Sequence, residues 1–350
     1  MIVRAVPGYV VALLVLAACG GGDRSGNEAA AGIVLTLGPA TTVIGVLDGD
    51  ATREFGLVQD AATDDQGRVY TLDSRYQRVR VHDRDGRLLA EAGRGGRGPG
   101  EFFIPRSLVL DTNGDVHVLD QGNVRIHRYR LAGDELELLG TTPFQSLAVD
   151  LCAIGEQYAI YGHDTEGIVR ILDRSGSVVR YISPPAHDSS TSRLRRAATG
   201  PMACIPEHGM IVVAAQQNGT VRAFGEAGEA IWSVTLPDFT GLSSSDGPDG
   251  SVTYSVSDAG FYHQVESLFV VSGNVLAVQW LELGEGTMPG EVPILRTLTH
   301  LLDARDGSRI GLQTDLPLVK RSYGASMISI SSDPFPQVAV HQAMPATDDR

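Results

Sequence analysis

Residues 60–92 read DAATDDQGRVYTLDSRYQRVRVHDRDGRLLAEA, and residues 108–131 read LVLDTNGDVHVLDQGNVRIHRYRL. In both, short runs of Val, Ile, Leu and Tyr are separated by turns of the Asp-x-x-Gly kind. That is the pattern of short antiparallel strands joined by tight hairpins. The two segments are in register: Gly67 matches Gly114, Asp73 matches Asp120 and Arg78 matches Arg125, all at one spacing. A turn glycine, a strand ending in Asp and an Arg shortly after it therefore form a repeat, which is the mark of a modular chain.

Looser copies follow. Gly155 precedes QYAIYG, Gly209 precedes MIVVAA, Gly273 precedes NVLAVQW, and Pro334-Phe335-Pro336 precedes QVAVHQ. The spacing drifts with loop length while the strand core persists. Helical periodicity is almost absent, and 41 glycines in 350 residues suit a chain with many positive-φ turns. Six anchors of this kind predict an all-β chain, a six-bladed β-propeller of four-stranded antiparallel blades over residues 33–345. A propeller is a closed ring, and Thr42–Leu47 (TVIGVL) precedes the first anchor without a unit of its own. This N-terminal strand is expected to close the ring by pairing in the blade built from residues 325–342.

The two clear units resemble NHL-type repeats: a Pro-led inner strand, Asp-x-x-Gly, a strand ending in Asp, then an Arg-Ile-x-x-hydrophobic strand. Gly93–Pro105 (GRGGRGPGEFFIP) is similar to the glycine-rich connection between such blades. The resemblance covers about residues 55–130. Beyond it, Tyr161 stands where the pattern has Asp, and Ala215 and Thr220 stand where it has Asp and Arg.

The N-terminus carries Arg4, an apolar run from Val10 to Leu16, and then Leu16-Ala17-Ala18-Cys19. Charge, apolar run and small residues in that order describe a signal peptide over residues 1–18, too short to span a bilayer. Leu-Ala-Ala-Cys also resembles the lipobox of bacterial lipoproteins, which implies diacylation of Cys19 and removal of the peptide before it. Residues 19–32 are rich in Gly, Ala and Ser, as expected of a flexible tether. Gly20 is not the aspartate that favours inner-membrane retention, so the expected address is the cell envelope, at the outer membrane facing the periplasm.

The formal net charge of −14 would become more negative by one on loss of Arg4. Such an acidic domain repels phosphate backbones, so no nucleic-acid partner is expected, and attachment to the membrane falls to the lipid. Apart from Cys19 there are two cysteines, Cys152 and Cys204. An oxidising periplasm permits them to pair; two unpaired buried thiols are the alternative.

In a propeller the turns between second and third strands and the connections between blades emerge on one face. Here that loop face would carry Asp73–Gln77, Gly93–Glu101, Asp120–Asn123, His163–Glu166 and Gln216–Gly219. The candidate binding residues on or beside it are Arg75, Arg94, Arg97, Arg106, His163 and Gln216. Gly93, Gly95 and Gly98 spell GxGxxG, but Pro99-Gly100 and a strand-like run follow where a phosphate site needs a helix. Arg94, Arg97 and Arg106 form either an anion-binding cluster or a solvated basic loop. Asp73 with Arg78, and Asp120 with Arg125, occupy repeated positions, so a repeated structural job is expected of them.

The histidines, among them His82, His117, His127, His163 and His263, form no HExxH or His-x-His pair, so no metal is expected. No nucleophile elbow or P-loop appears; no catalytic residue or cofactor is assigned. Thr240–Ser251 and His187–Gly200 read as polar insertions, the first flexible and the second a candidate short surface helix. The expected function is a lipid-anchored envelope module that binds or scaffolds a protein, peptide or glycan. The alternative is a metal-dependent propeller hydrolase or lyase, lactonase-like, with a divalent cation on the axis.

Overall fold

The strands Val69–Asp73, Val116–Asp120 and Met210–Ala214 are buried along their whole length. A strand without a solvent face needs packed sheets on both sides, and that requirement explains why apolar residues fall on both faces of these segments rather than on one. The computed structural model describes residues 33–48, 51–164, 166–182, 199–246, 252–256, 260–284 and 292–344. Residues 1–18, Cys19, the tether and most of His187–Gly200 lie outside the described residues.

The described strands form six radial antiparallel sheets and one separate two-stranded hairpin. Blade 1 comprises Val58–Thr63, Val69–Asp73, Arg78–His82 and Leu88–Ala92, and blade 2 runs from Pro105–Leu110 to Glu135–Pro143. Blade 3 runs from Asp150–Ile154 to Val178–Tyr181, blade 4 from Met202–Ile205 to Ala230–Thr235, and blade 5 from Phe261–Ser272 to Arg309–Thr314. Blade 6 contains Val319–Tyr323, Ser326–Ser331 and Gln337–Met344 from the C-terminal end of the ring. Among the described residues helix is confined to the 3₁₀ turn Pro206–His208. The chain is thus an all-β, six-bladed propeller of four-stranded antiparallel blades.

Ring closure is made by the N-terminus. Thr42–Ile44 pairs with Gln337–Met344, with Thr42 opposite Val340 and Ile44 opposite Val338, and Thr36–Leu37 pairs further along the same strand. The strand stops at Ile44 instead of continuing to Leu47. Gly45 there has φ +138°, and a Cβ on it would meet the Pro336 carbonyl at 2.5 Å, so only glycine lets the chain turn over the blade.

Each of the six blade interfaces has its own apolar cluster. Tyr70, Leu72 and Val81 meet Leu108 and Tyr129 between blades 1 and 2. Between blades 6 and 1, Ile44 of the closing strand joins Val58, Val69, Ile328 and Val338. Stability is therefore spread around a ring in which no blade has a core of its own.

Two expectations are corrected. The sixth unit starts at Gly324, which leads into the second strand Ser326–Ser331; QVAVHQ, after Pro336, lies in the third strand. The order was hidden because the fourth strand of that blade comes from the other end of the chain. The polar insertion at Thr240–Ser251 contains strand: Ser243–Asp246 pairs with Val252–Ser255 in a hairpin between blades 4 and 5.

Asp73 and Asp120 do the repeated structural job expected of them. Asp73 accepts hydrogen bonds from the amides of Gly56 (2.7 Å), Arg75 (2.9 Å) and Tyr76 (2.8 Å). Asp120 accepts from the Ile104 amide (2.9 Å) and the Asn123 side chain (2.7 Å). Each carboxylate thus ties the incoming interblade segment to its own blade's turn. Arg78 does not pair with Asp73; it reaches Glu91 at 3.2 Å. Arg125 donates to the carbonyls of Arg97, Gly98 and Glu101 and so holds the glycine-rich connection.

Candidate functional site

Charge collects where the inner strands converge. On the loop face the axis opens into a funnel of about 340 Å³, lined by Gln59, Asp60, Arg106, Gln121, Asp150, Gln216, Glu266, Lys320 and Arg321 among others. Its floor is the Arg321 side chain. One guanidinium nitrogen, Nη2, donates to Asp60 Oδ2 (2.8 Å), Asp150 Oδ1 (2.6 Å) and Ser107 Oγ (2.8 Å). Nη1 reaches the Met202 carbonyl at 3.3 Å. Four inner strands, from blades 6, 1, 2 and 3, meet on this group, and a fifth, in blade 4, supplies the carbonyl. Burial alone would lower the arginine pKa, but the carboxylates of Asp150 and Asp60 outweigh it and raise the pKa.

The two carboxylates serve the ring as well. Asp60 Oδ2 accepts from the Leu108 amide (2.9 Å), and Asp150 Oδ2 accepts from the Met202 amide (2.8 Å). Ser107 Oγ donates to Asp150 Oδ1 (2.6 Å), the Val265 amide to the Gln216 carbonyl (2.9 Å), and the Val319 amide to Gln279 Oε1 (2.7 Å). With Arg321–Asp60, a polar contact crosses each of the six interfaces. Buried charges in this setting are tolerated because every carboxylate oxygen is hydrogen-bonded.

Above this floor the rim is polar. Lys320 Nζ lies 3.6 Å from Glu266 Oε2, and Gln216 Nε2 donates to Glu266 Oε1 (3.3 Å). Arg106 is exposed, with Gln121 Oε1 at 3.4 Å from its Nε. A guanidinium, an ammonium and two amide side chains around one opening can orient hydroxyl, carbonyl and carboxylate groups of a ligand.

Of the residues expected on the binding face, Arg106 and Gln216 line the funnel; Arg75, Arg94, Arg97 and His163 do not. The three loop arginines are not gathered into an anion cluster. Arg94 is 2.8 Å from Glu101 Oε1, and the Arg97 guanidinium lies 4.2 Å over the Phe103 ring, while Arg106 alone of the three lines the funnel. Arg75 is exposed beside Gly56, and His163 is half-buried. Sequence reasoning missed Asp60, Asp150, Glu266, Lys320 and Arg321. One signal was present: Asp60 and Ser107 are polar residues at the same repeat position in otherwise apolar inner strands.

Cys152 and Cys204 form a disulfide with Cα atoms 6.2 Å apart, joining the inner strands of blades 3 and 4. His117 and His263 lie elsewhere, in the blades. His117 sits between Tyr158 Oη (2.9 Å) and Asp111 Oδ2 (3.0 Å), and the His263 ring stacks on Trp280 at 5.0 Å. Among the described residues no three His, Cys, Asp or Glu side chains come together as a metal-ligand group.

His300 is 1% exposed, and neither ring nitrogen has a hydrogen-bond partner. Burial, with a smaller contribution from Arg309, lowers its pKa from 6.5 to about 4. The unfolded chain then binds the proton that the folded chain refuses, so stability is lost as pH falls from about 6.5 to about 4 and levels off below. The loss from this residue is about 3 kcal/mol. Urea titrations at successive pH values should show it, and His300→Phe should flatten that part of the profile; an unchanged profile would contradict the assignment.

No helix among the described residues is long and apolar enough to cross a membrane. Residues 52–177, spanning blades 1 to 3, match the model of the DUF5128 family, described as a 6-bladed beta-propeller. Among solved structures, a member of the duf4221 family from Bacteroides vulgatus is similar, with 10% identity and a TM-score of 0.60. It covers 89% of this chain and 99% of its own. A candidate exported protein from Bacteroides fragilis is similar with 10% identity and a TM-score of 0.57, covering 89% of this chain and 96% of its own. At that identity the likeness is one of fold alone.

Proposed function

We propose that this protein is a lipid-anchored module of the cell envelope whose loop-face funnel binds a protein, peptide or glycan. The observation that carries this reading is the funnel itself. Its floor charges are committed to holding the ring, while Arg106, Gln121, Gln216 and Lys320 stand around the rim as groups able to orient a ligand. The lipobox at Cys19 supports the anchor, and the Cys152–Cys204 disulfide suits an oxidising compartment. The similarity to a candidate exported protein supports the same address. The described chain begins on the face opposite the funnel, so an anchored domain would present the funnel away from its membrane.

The rival reading, a hydrolase or lyase with a divalent cation on the axis, meets a physical obstacle. Asp60 and Asp150, the carboxylates nearest the axis floor, already enclose the guanidinium of Arg321. A cation there would have to displace a charge held by two ion pairs.

Cross-linking from intact cells, comparing the native chain with the double variant Arg106→Glu, Gln216→Ala, tests the proposal. A protein or glycan species captured by the native chain should fall about tenfold in the variant, the size expected for loss of a central arginine contact. Equal capture by both would refute the funnel as the binding site. Stoichiometric Ca or Zn in the purified protein that raises its melting temperature would favour the rival.

A further inference from the structure

Below Arg321 the axis changes character. A second cavity, of about 850 Å³, opens on the hairpin face, and the same guanidinium that floors the funnel closes its inner end. Only Arg321 and Glu207 among its lining residues are charged, in a chain of net charge −14. Val109, Leu110, Ala153, Val270 and Val271 line it and are only half-buried, so aliphatic surface is left in contact with solvent along the axis. Its size falls among the pockets of about 300–1,000 Å³ that enclose small ligands. A recessed apolar surface of this extent marks a binding site more often than accident.

The lining also has a wide origin. It comes from all six blades, with Ala62, Leu110, Ala153, Ile205, Val271 and Tyr323 around one axis, and it is joined by Ile33 of the N-terminal segment. Exposed polar groups, Glu207, Ser272 and Tyr323, sit at the hairpin turns. An apolar interior with polar groups at its rim suits an amphiphile with a neutral head better than an anionic ligand, because Glu207 would repel an anion.

The N-terminal chain arrives at this opening. Ile33 and Val34 line it, the Ile33 amide donates to the Ile310 carbonyl (2.8 Å), and Thr36–Leu37 pairs with the hairpin-face end of Gln337–Met344. Fourteen residues separate Cys19 from Ile33, a reach of at most roughly 50 Å. A lipid on Cys19 would therefore hold this opening within reach of the membrane.

We infer that the hairpin-face cavity binds one acyl chain. The site stands on the cavity alone; the supply of the chain rests on the lipid-anchor reading. The test uses the full chain carrying Cys19→Ala, titrated by calorimetry with monooctanoyl-, monodecanoyl- and monododecanoylglycerol. One equivalent should bind, tightening about fourfold per added methylene, the equivalent of ~0.8 kcal/mol. Val271→Glu and Ala153→Phe, two independent variants, should each weaken binding at least about tenfold with native-like melting, and either one suffices if the other fails to fold. Absence of binding by folded Cys19→Ala protein, affinity independent of chain length, or insensitivity to both variants would overturn the site.

A second arm identifies the source of the chain. If protein processed at Cys19 refuses the monoacylglycerol that Cys19→Ala accepts, the cavity holds the protein's own lipid. If both forms bind, the chain belongs to a separate membrane lipid. The mass of the N-terminal peptide reports independently on acylation of Cys19, so failure of the anchor reading is distinguishable from failure of the site.

Discussion

Replacing Arg321 by Met is expected to cost the domain about 3–5 kcal/mol, the usual effect of removing one partner of a buried ion pair. Met fills much of the same volume, so the loss comes from electrostatics more than from packing. Asp60 and Asp150 have side chains only 5% and 8% exposed, and the variant would leave both buried without their shared cation. Their remaining partners are backbone amides and the Ser107 hydroxyl, which satisfy hydrogen bonds but not net charge.

Against a total stability of about 5–15 kcal/mol, such a loss threatens folding in the cell. Asp60→Asn with Asp150→Asn in the same chain should recover a large part of it. An amide needs no counter-charge, and its carbonyl oxygen still accepts from the neighbouring strand. Urea midpoints of the single and triple variants measure both effects. A single variant as stable as the native chain, or a triple variant less stable than the single, would show that the axial ion pairs do not hold the ring.

Deleting residues 40–48 should destabilise all six blades together. The deletion removes Thr42–Ile44 from the edge of blade 6 and leaves Gln337–Met344, still paired with Ser326–Ser331, without a partner on its outer edge at Val338–Val340. It removes fully buried Ile44 from the cluster shared by blades 6 and 1. It also removes the Thr42 hydroxyl, which donates to the Arg84 carbonyl in a hairpin of blade 1 at 2.7 Å. Ile44→Ala alone should cost about 2–5 kcal/mol. The full deletion exceeds that and should lower the melting temperature by roughly 10 °C or more. One cooperative transition at the lower temperature is the expected form, because every blade depends on two neighbours. A truncated protein that melts where the native one does would refute closure by the N-terminus.

Much of this architecture is legible in local sequence, for a local reason. Gly67 and Gly114 mark turns because positive φ is open to glycine; Asp73 stands where its carboxylate collects the amides of Arg75 and Tyr76, and Asp120 where it accepts from the Asn123 side chain, both within three residues. Val69–Asp73 and Val116–Asp120 carry apolar residues on both faces because both faces are covered. Thr42–Leu47 could be assigned to closure because a ring has no free edge and every other strand had a blade. Where the repeat decays the reading slipped: QVAVHQ was placed one strand early, and the hairpin at Ser243–Asp246 was hidden by its polar residues.

The sequence by itself determined the strand pattern, the blade number and the N-terminal closing strand, all set by turn chemistry and strand patterning over a few residues. Only the tertiary structure decided the axis. Arg321 meets Asp60 and Asp150 across separations of 261 and 171 residues. It divides a charged funnel from an apolar cavity lined by strands of all six blades. No segment of the chain carries that juxtaposition, because it exists only once the ring has closed and brought the inner strands together.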